Sequence, residues 1–551
     1  MSALTGAQVL VEQLKLHGVD KIYGVPGESY LSVLDALVDA PELDFITCRQ
    51  ESGAAMMAEA YGKLTGKPGI CMVTRGPGAT NASAGVHVAF QDSTPMILFI
   101  GQVARDMMDR EAFQEIDYRR MFGQMAKWVA QIDDADRMDE YIARAYQVAV
   151  SGRPGPVVLA LPEDMLSGPA KAPAKLSRYK VSTSAPAPQD MADLSEALKQ
   201  AEKPLIIVGG GGWSKTCQSL LEEFAARENV PVTVSFRCQD YVNNDLDVYG
   251  GHVGIGIDPN LAKSIGESDL LLVIGARLGE MTTNGYEVLK PPKLDQKLIH
   301  IYPQAEELGR VYQPDLGIVS TSEAFLQALL TQEGLNADKR AGWCAAVRQN
   351  YVKFSQPVSQ IGDVQMCDVI THLRAEMPDN TVLTNGAGNY SIWGHRFFGY
   401  RGYGTQLAPT SGSMGYGLPA AVAAASIDAE RPVVCLAGDG CFMMTCQEFS
   451  TAVQAGLKLI VIVVNNSMYG TIRMHQEKRF AHRVSGTALK NPDFAAMATA
   501  MGGLGLRVEK NDQFADALAQ AKSFDGVSLI EIIVDNQVIT PNLTLADLRN
   551  N

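Results

Sequence analysis

Gly438-Asp439-Gly440 is followed, one helix and one strand later, by Asn465-Asn466. Asp439 closes the apolar run RPVVCLA and the two asparagines close LKLIVIVV. Both tips therefore fall on one edge of a parallel sheet, the edge where open α/β sheets take their ligands. An aspartate carboxylate and an asparagine amide oxygen are hard donors of the kind Mg²⁺ shares with phosphate. Gly440 lets the backbone come close to an anion, and the helix after it is expected to offer N-terminal N–H groups to that anion. GDG alone reads as a turn; with the asparagine pair at this spacing it predicts a metal–phosphate corner. A second chemical position is Glu51, in ITCRQESGAAMMAEAYGKLTGKPG (46–69), at a strand end where a small-residue helix begins. Locally it is equally well a favourable partner for that helix's dipole.

The elements that must carry these residues fall into three blocks. Unbroken apolar runs, the mark of strands covered on both faces, occur at 21–25, 70–74, 96–101 and 156–162 in the first block (1–168). The second block (191–335) has them at 204–212, 230–236, 270–278 and 297–302, and the third (361–545) at 380–386, 431–440, 457–466 and 528–535. Strands alternating with helices predict an α/β fold class of three doubly wound parallel-sheet domains. A Pro-, Ala-, Ser- and Lys-rich stretch at 166–190 reads as a linker. A polar helical segment at about 336–360 reads as a second connector.

The chain has 551 residues, enough for three or four domains, with ordinary fractions of hydrophobic and charged residues. A net charge of −14 argues against a general nucleic-acid-backbone binder. Nine cysteines stand singly, with no CxxC pair, so neither a zinc site nor a disulfide framework is expected. The opening residues lack the pattern of a secretory signal, and the longest apolar runs are strand-length, so a cytoplasmic enzyme is expected.

With its spacing, the GDG–NN pair resembles the cofactor motif of the thiamine-diphosphate-dependent decarboxylase and carboligase superfamily. The resemblance implies Mg²⁺ bound by Asp439, Asn466 and the Met468 carbonyl. It implies cofactor contacts from the turn Gly388-Asn389-Tyr390, from Gly438, Gly440 and Cys441, and from the loop SGSMGYGLPAA (411–421). In that loop the Gly412 carbonyl would accept from the pyrimidine amino group, and Met414 would wedge between the two rings of thiamine diphosphate. Glu51 takes the place of the family's activating glutamate, which hydrogen-bonds the pyrimidine so that the ring can help deprotonate the thiazolium. Family members join the two half-sites across a dimer interface, so a homodimer or homotetramer is implied.

Longer stretches, TRGPGATNASAGVHVAFQDSTPMILFIGQV (74–103), DREAFQEID (109–117) and SGRPGPVVLALPEDM (151–165), are most similar to the large subunit of acetolactate synthases. By that likeness Phe113 and Gln114 border the reaction site, Gly27 lies near the thiazolium, and Ile472, in the substrate-covering segment 467–480, points at the substrate. Departures are equally informative. GGHVGIG (250–256) stands where flavin-binding members carry Met-His-Gly, and Leu278-Gly279-Glu280-Met281 replaces their Phe-Asp-Asp-Arg. The Gly209–Gly212 run offers a nucleotide cradle, so FAD in the central domain is an open expectation, in a structural role. His475 replaces a usual large aromatic, which puts pyruvate specificity in question; locally it reads as an exposed helix histidine. The first block also lacks the His-His pair of aldehyde-releasing decarboxylases.

The expected reaction is decarboxylation of a 2-oxo acid, pyruvate favoured, with the enamine transferred to a second carbonyl. Two alternatives stand beside it: a lyase or carboligase of 2-hydroxyketones or 2-hydroxyacyl thioesters, and a non-catalytic nucleotide- or flavin-binding protein with a degenerate site.

Overall fold

The computed structural model describes residues 4–171 and 177–550. Part of the expected linker, 172–176, lies outside the described residues. The chain divides into two compact units. One comprises the residues up to Ser182 together with Leu418–Asp428 and Thr445–Leu457; the other comprises Thr183–Gly417, Ala429–Met444 and Lys458 onward.

The first unit holds a six-stranded sheet built from β1 (Lys21–Gly24), β2 (Asp44–Thr47), β3 (Gly69–Val73), β4 (Met96–Gln102), β5 (Trp128–Gln131) and β6 (Pro156–Pro162). Every pairing is parallel, in the spatial order β2-β1-β3-β4-β6-β5. β3, β4 and β6 are buried at every residue, as strands covered on both faces must be. The helices Glu51–Thr65 and Pro77–Asp92 pack closely because their contact is made of small residues. A Cβ on Gly85 would stand 2.4 Å from that of Ala55.

The second unit contains two further parallel sheets. One runs β7 (Pro204–Val208), β8 (Val232–Val234), β9 (Tyr249–His252), β10 (Leu270–Ile274), β11 (Lys297–Tyr302) and β12 (Leu316–Val319), in the order β9-β8-β7-β10-β11-β12. The other runs β13 (Val382–Asn385), β14 (Gln406–Leu407), β15 (Val433–Gly438), β16 (Leu459–Asn465), β17 (Leu504–Val508) and β18 (Val527–Ile533), in the order β14-β13-β15-β16-β18-β17. The expected α/β fold with three doubly wound parallel sheets is therefore the observed one. The connector near 336–360 contains the helix Ala341–Phe354. None of the nine cysteines forms a disulfide, and eight of them are buried. Among the described residues no helix is long and apolar enough to cross a membrane.

One local expectation needs correction. The helix after Gly440 is a single turn, Asp439–Phe442, and the helix Glu448–Gln454 comes only after a break. Around that turn the chain is held by close packing, since the bare Cα atoms of Gly438 and Gly440 lie against the Tyr390 and Tyr469 rings.

Candidate functional site

In the second unit, β15 and β16 are adjacent and in register (Gly438 beside Val464), so their C-terminal tips present Asp439 and Asn465-Asn466 side by side. Asp439 is buried. Its Oδ1 accepts from the Gly440 N–H at 2.8 Å and its Oδ2 from the Asn491 amide at 2.7 Å. Burial raises the Asp439 carboxyl above the usual carboxylate range. The Gly440 N–H, the Asn491 amide and the N–H groups of Ser467 and Met468 oppose that shift. Asn466 Oδ1 accepts from the Met468 N–H at 3.2 Å, which curls the chain so that residues 466–468 form a tight turn beside Asp439.

Behind this corner lies a chain of contacts that the sequence did not disclose. Asn491 Nδ2 also donates to Asn465 Oδ1 at 2.9 Å, and Asn465 Nδ2 donates to Glu531 Oε1 at 2.8 Å. Arg507 stands 3.8 Å from the other oxygen of Glu531. In the sequence Asn491 sits in Asn-Pro-Asp, an ordinary turn and helix-start signal, and Asp493 does cap the helix Phe494–Ala500. The only clue was a third asparagine a short way beyond the pair.

The expected cofactor turn is organised by Tyr390. Its hydroxyl accepts from the Gly386 N–H and donates to Cys441 Sγ, each at 3.1 Å, and Gly415 N–H reaches the same sulfur at 3.1 Å. Its ring lies against Gly438, where a Cβ would come within 2.7 Å. Tyr390 and Cys441 thus tie together the loops after β13, β14 and β15. Asn389 is bound from two sides: Thr471 donates to its Oδ1 at 2.8 Å, and its Nδ2 donates to the Ile539 carbonyl at 3.1 Å. Gly412 sits at φ +70° with open space on its side-chain side, where a Cβ would meet nothing within 4 Å. Met414 is half-buried beside the core. Ile472 and His475 lie on the helix Gly470–Arg479, both exposed.

In the first unit the expected residues gather around the turn Thr74–Gly78 at the end of β3. A Cβ on Gly27 would strike Thr74 at 2.5 Å, and one on Gly78 would approach Glu51 Oε1 at 3.4 Å. Gly76, at φ +58°, faces Gln114, itself at φ +66°. Glu51 opens the helix Glu51–Thr65, and Gln50 caps it by accepting from the Ser52 and Gly53 N–H groups. Glu51 Oε2 accepts from Asn81 at 2.9 Å. Arg75 donates to the Phe113 carbonyl and pairs with Glu163 at 3.0 Å, fixing a loop on which Phe113 is 72% exposed. Gly53 has no side chain because buried Glu448 fills the space, where it accepts from the Arg49 N–H.

Family models for the three domains of thiamine pyrophosphate enzymes match residues 4–121 (N-terminal TPP binding domain), 191–329 (central domain) and 386–532 (C-terminal TPP binding domain). The chain belongs to the thiamine pyrophosphate enzyme family. Its relatives include the acetolactate synthase isozyme 2 large subunit of Escherichia coli (strain K12), 31% identical over 97% of this chain and 96% of the relative. The mitochondrial acetolactate synthase catalytic subunit of Saccharomyces cerevisiae is 30% identical, over 97% and 81% respectively. The acetolactate synthase large subunit of Haemophilus influenzae is 30% identical, over 97% and 95%. This thiamine pyrophosphate enzyme is an acetolactate-synthase-like transferase or lyase, which sets aside the non-catalytic alternative.

The residues present fit both implied groups. Asp439 is a buried carboxylate disfavoured in its charged form by desolvation, and a cation beside it relieves that cost. The Asn466 amide and the Met468 carbonyl are of the hard-oxygen type that would join Asp439 on Mg²⁺. Gly412, at φ +70° with nothing within 4 Å of where a Cβ would stand, leaves room for the rings of the cofactor.

Proposed function

We propose that the protein is a carboligase that decarboxylates a 2-oxo acid, pyruvate favoured, and joins the remaining carbon unit to a second carbonyl. What carries this reading is that one chain holds Glu51, at the start of the helix after β2, and Asp439 and Asn466, at the tips of β15 and β16, and resembles acetolactate synthases along nearly its whole length. Bound thiamine diphosphate would supply the nucleophilic carbon and the electron sink.

In this reading Asp439, Asn466 and the Met468 carbonyl hold Mg²⁺, and Gly388, Asn389, Gly438, Gly440 and Cys441 border the diphosphate. The Gly412 carbonyl and Met414 orient the rings. Glu51 holds a proton at Oε1 while Asn81 fixes Oε2. Between transfers its carboxylate faces the positive end of the helix it opens. Gly27, Phe113 and Gln114 in the first unit and Ile472 in the second are each read as substrate-facing, and Phe113 and Ile472 are exposed apolar side chains. The reading includes a homodimer or homotetramer and a cytoplasmic setting.

FAD in the central domain stays part of this reading, in a structural role. The carbonyls of Gly209 and Gly210 are taken by the Trp213 indole and the Tyr241 hydroxyl. FAD has no part in the proposed reaction, because decarboxylation and ligation transfer no net electrons. His475 favours a second reading, in which bulkier hydroxyketones or 2-hydroxyacyl thioesters replace pyruvate. The test is pyruvate turnover by the stripped enzyme with and without thiamine diphosphate and Mg²⁺, assaying acetolactate and acetaldehyde separately. Cofactor-dependent acetolactate supports the first reading; tight cofactor binding without either product moves the assignment to the second.

A further inference from the structure

The loop carrying Gly412 and Met414 leaves β14, a strand of two residues that meets β13 through only two register pairs (Leu383 with Gln406, Thr384 with Leu407). So short a ladder does little to fix the loop beyond it. The missing support comes from the central domain. Arg237, just beyond β8, is buried, and its guanidinium donates to two carbonyls, that of Pro409 and that of Gly386 at 3.0 Å. Gly386 opens the loop after β13, and Pro409 opens the loop after β14. The Pro409 carbonyl also accepts from the Gly412 N–H, closing the turn that displays Gly412.

The neighbours of Arg237 act in the same direction. Asp240 accepts from the N–H groups of Gly404 (2.8 Å) and Gln406 (3.2 Å). Gln239 and Gln406 exchange two hydrogen bonds, and Gln239 also donates to the His395 carbonyl at 2.6 Å. Arg237 adopts φ +63°, a left-handed backbone unusual for a non-glycine residue, and its guanidinium lies over the Phe236 ring. Backbone strain of this kind persists where surrounding contacts over-determine it. A guanidinium is a planar fork with fixed spacing between its donors, so it sets the separation of two carbonyls as an ammonium cannot.

Resting on the cofactor site of the proposed function, we propose that Arg237 is a positioning residue for the cofactor. The central domain, through this one fork, sets the distance between the Gly386 and Pro409 loops and so the placement of Gly412 and Met414.

The test is calorimetric titration of thiamine diphosphate, at saturating Mg²⁺, into the cofactor-stripped full-length protein and its Arg237→Gln and Arg237→Lys variants. Thermal midpoints of the stripped proteins are recorded beside each titration. Arg237→Gln is expected to raise Kd about tenfold, equivalent to about 1.4 kcal/mol. Arg237→Lys, able to reach one carbonyl, should fall between it and the unchanged protein. Unchanged Kd in folded Arg237→Gln overturns the proposal. If that variant does not fold, Arg237→Lys decides: a rise of about threefold supports the proposal, and none overturns it. An unsubstituted protein that fails to bind thiamine diphosphate would instead sink the cofactor site itself.

Discussion

Asn491→Ala is the substitution that most directly probes how the metal corner is held. Asn491 Nδ2 donates to Asp439 Oδ2 at 2.7 Å and to Asn465 Oδ1 at 2.9 Å, so the change removes both bonds while sparing every expected metal ligand. A hydrogen bond to a charged group contributes about 1.5–3 kcal/mol. Groups that orient metal ligands cost roughly 10–100-fold in affinity when removed, about 1.4–2.7 kcal/mol, and the two ranges agree. Mg²⁺ titrated calorimetrically into the stripped enzyme with excess thiamine diphosphate should therefore bind about 10–100-fold more weakly. The gap in thermal midpoint between loaded and stripped protein should narrow with it, since ligand stabilisation scales with the logarithm of affinity. Glu531→Gln supplies the gradient. It retains an acceptor for Asn465 and lies two hydrogen bonds further from Asp439, so a change of less than about threefold is expected. Wild-type Mg²⁺ affinity in Asn491→Ala would refute the reasoning, and equal losses in both variants would reduce it to general destabilisation.

Glu51→Gln should abolish most turnover yet bind thiamine diphosphate with near-wild-type affinity, measured by parallel titration and product assays; full activity would remove Glu51 from its role. Asp439→Ala should eliminate Mg²⁺-dependent cofactor binding, and an unchanged calorimetric isotherm would contradict the assignment. Burial holds the His252 imidazole down to about 4, against its ordinary 6.5. The unfolded chain therefore takes up the proton first. The stabilisation is fully present above pH 6.5 and is lost as pH falls toward 4, by about 3 kcal/mol at the limit. Urea midpoints followed from pH 7 to pH 4 should fall, and less steeply in His252→Gln.

What the sequence disclosed of the fold divides along a physical line. In each sheet the four inner strands were legible as apolar runs and the two edge strands were not, save the end of β2 read ahead of Glu51. β2 and β5, β9 and β12, β14 and β17 are the outermost members of their sheets. Inner strands are covered on both faces and read as continuous Val, Ile and Leu runs. An edge such as Leu316–Val319 has a single buried residue, β14 is two residues long, and β9 is Tyr-Gly-Gly-His. None of these carries an apolar run to detect. The site divides in a similar way. Asp439 and Asn466 stand out because their types are unusual at the end of an apolar run, and Glu51 through the resemblance of its segment to the family's activation site. Asn491, Arg237 and the linking role of Tyr390 act through contacts between segments remote in sequence, and a single chain of letters holds no trace of that adjacency.

The strand orders bear on why these residues stand where they do. Numbered within its own sheet, the first sheet runs 2-1-3-4-6-5 and so does the third, whereas the central one runs 3-2-1-4-5-6. In the two matching sheets the proposed residues follow equivalent strands. Gly27 and Gly388-Asn389 follow the first; Glu51 and the Gly412–Met414 loop follow the second, at an edge; the Gly76 turn and Asp439 follow the third; Phe113-Gln114 and Asn466 follow the fourth. Strand ends on the carboxyl side of a doubly wound sheet are where backbone N–H groups and short side chains are free for ligands. One topology used twice thus offers two sets of four such loops. In the proposed function the first set carries Glu51, read as the proton-transfer residue, and the second carries the residues read as the metal–phosphate corner. The central sheet, wound differently, contributes no residue to either set and acts instead through Arg237 and Asp240 on the base of the second. On the proposal made for Arg237, that makes the central domain a determinant of cofactor geometry in its own right.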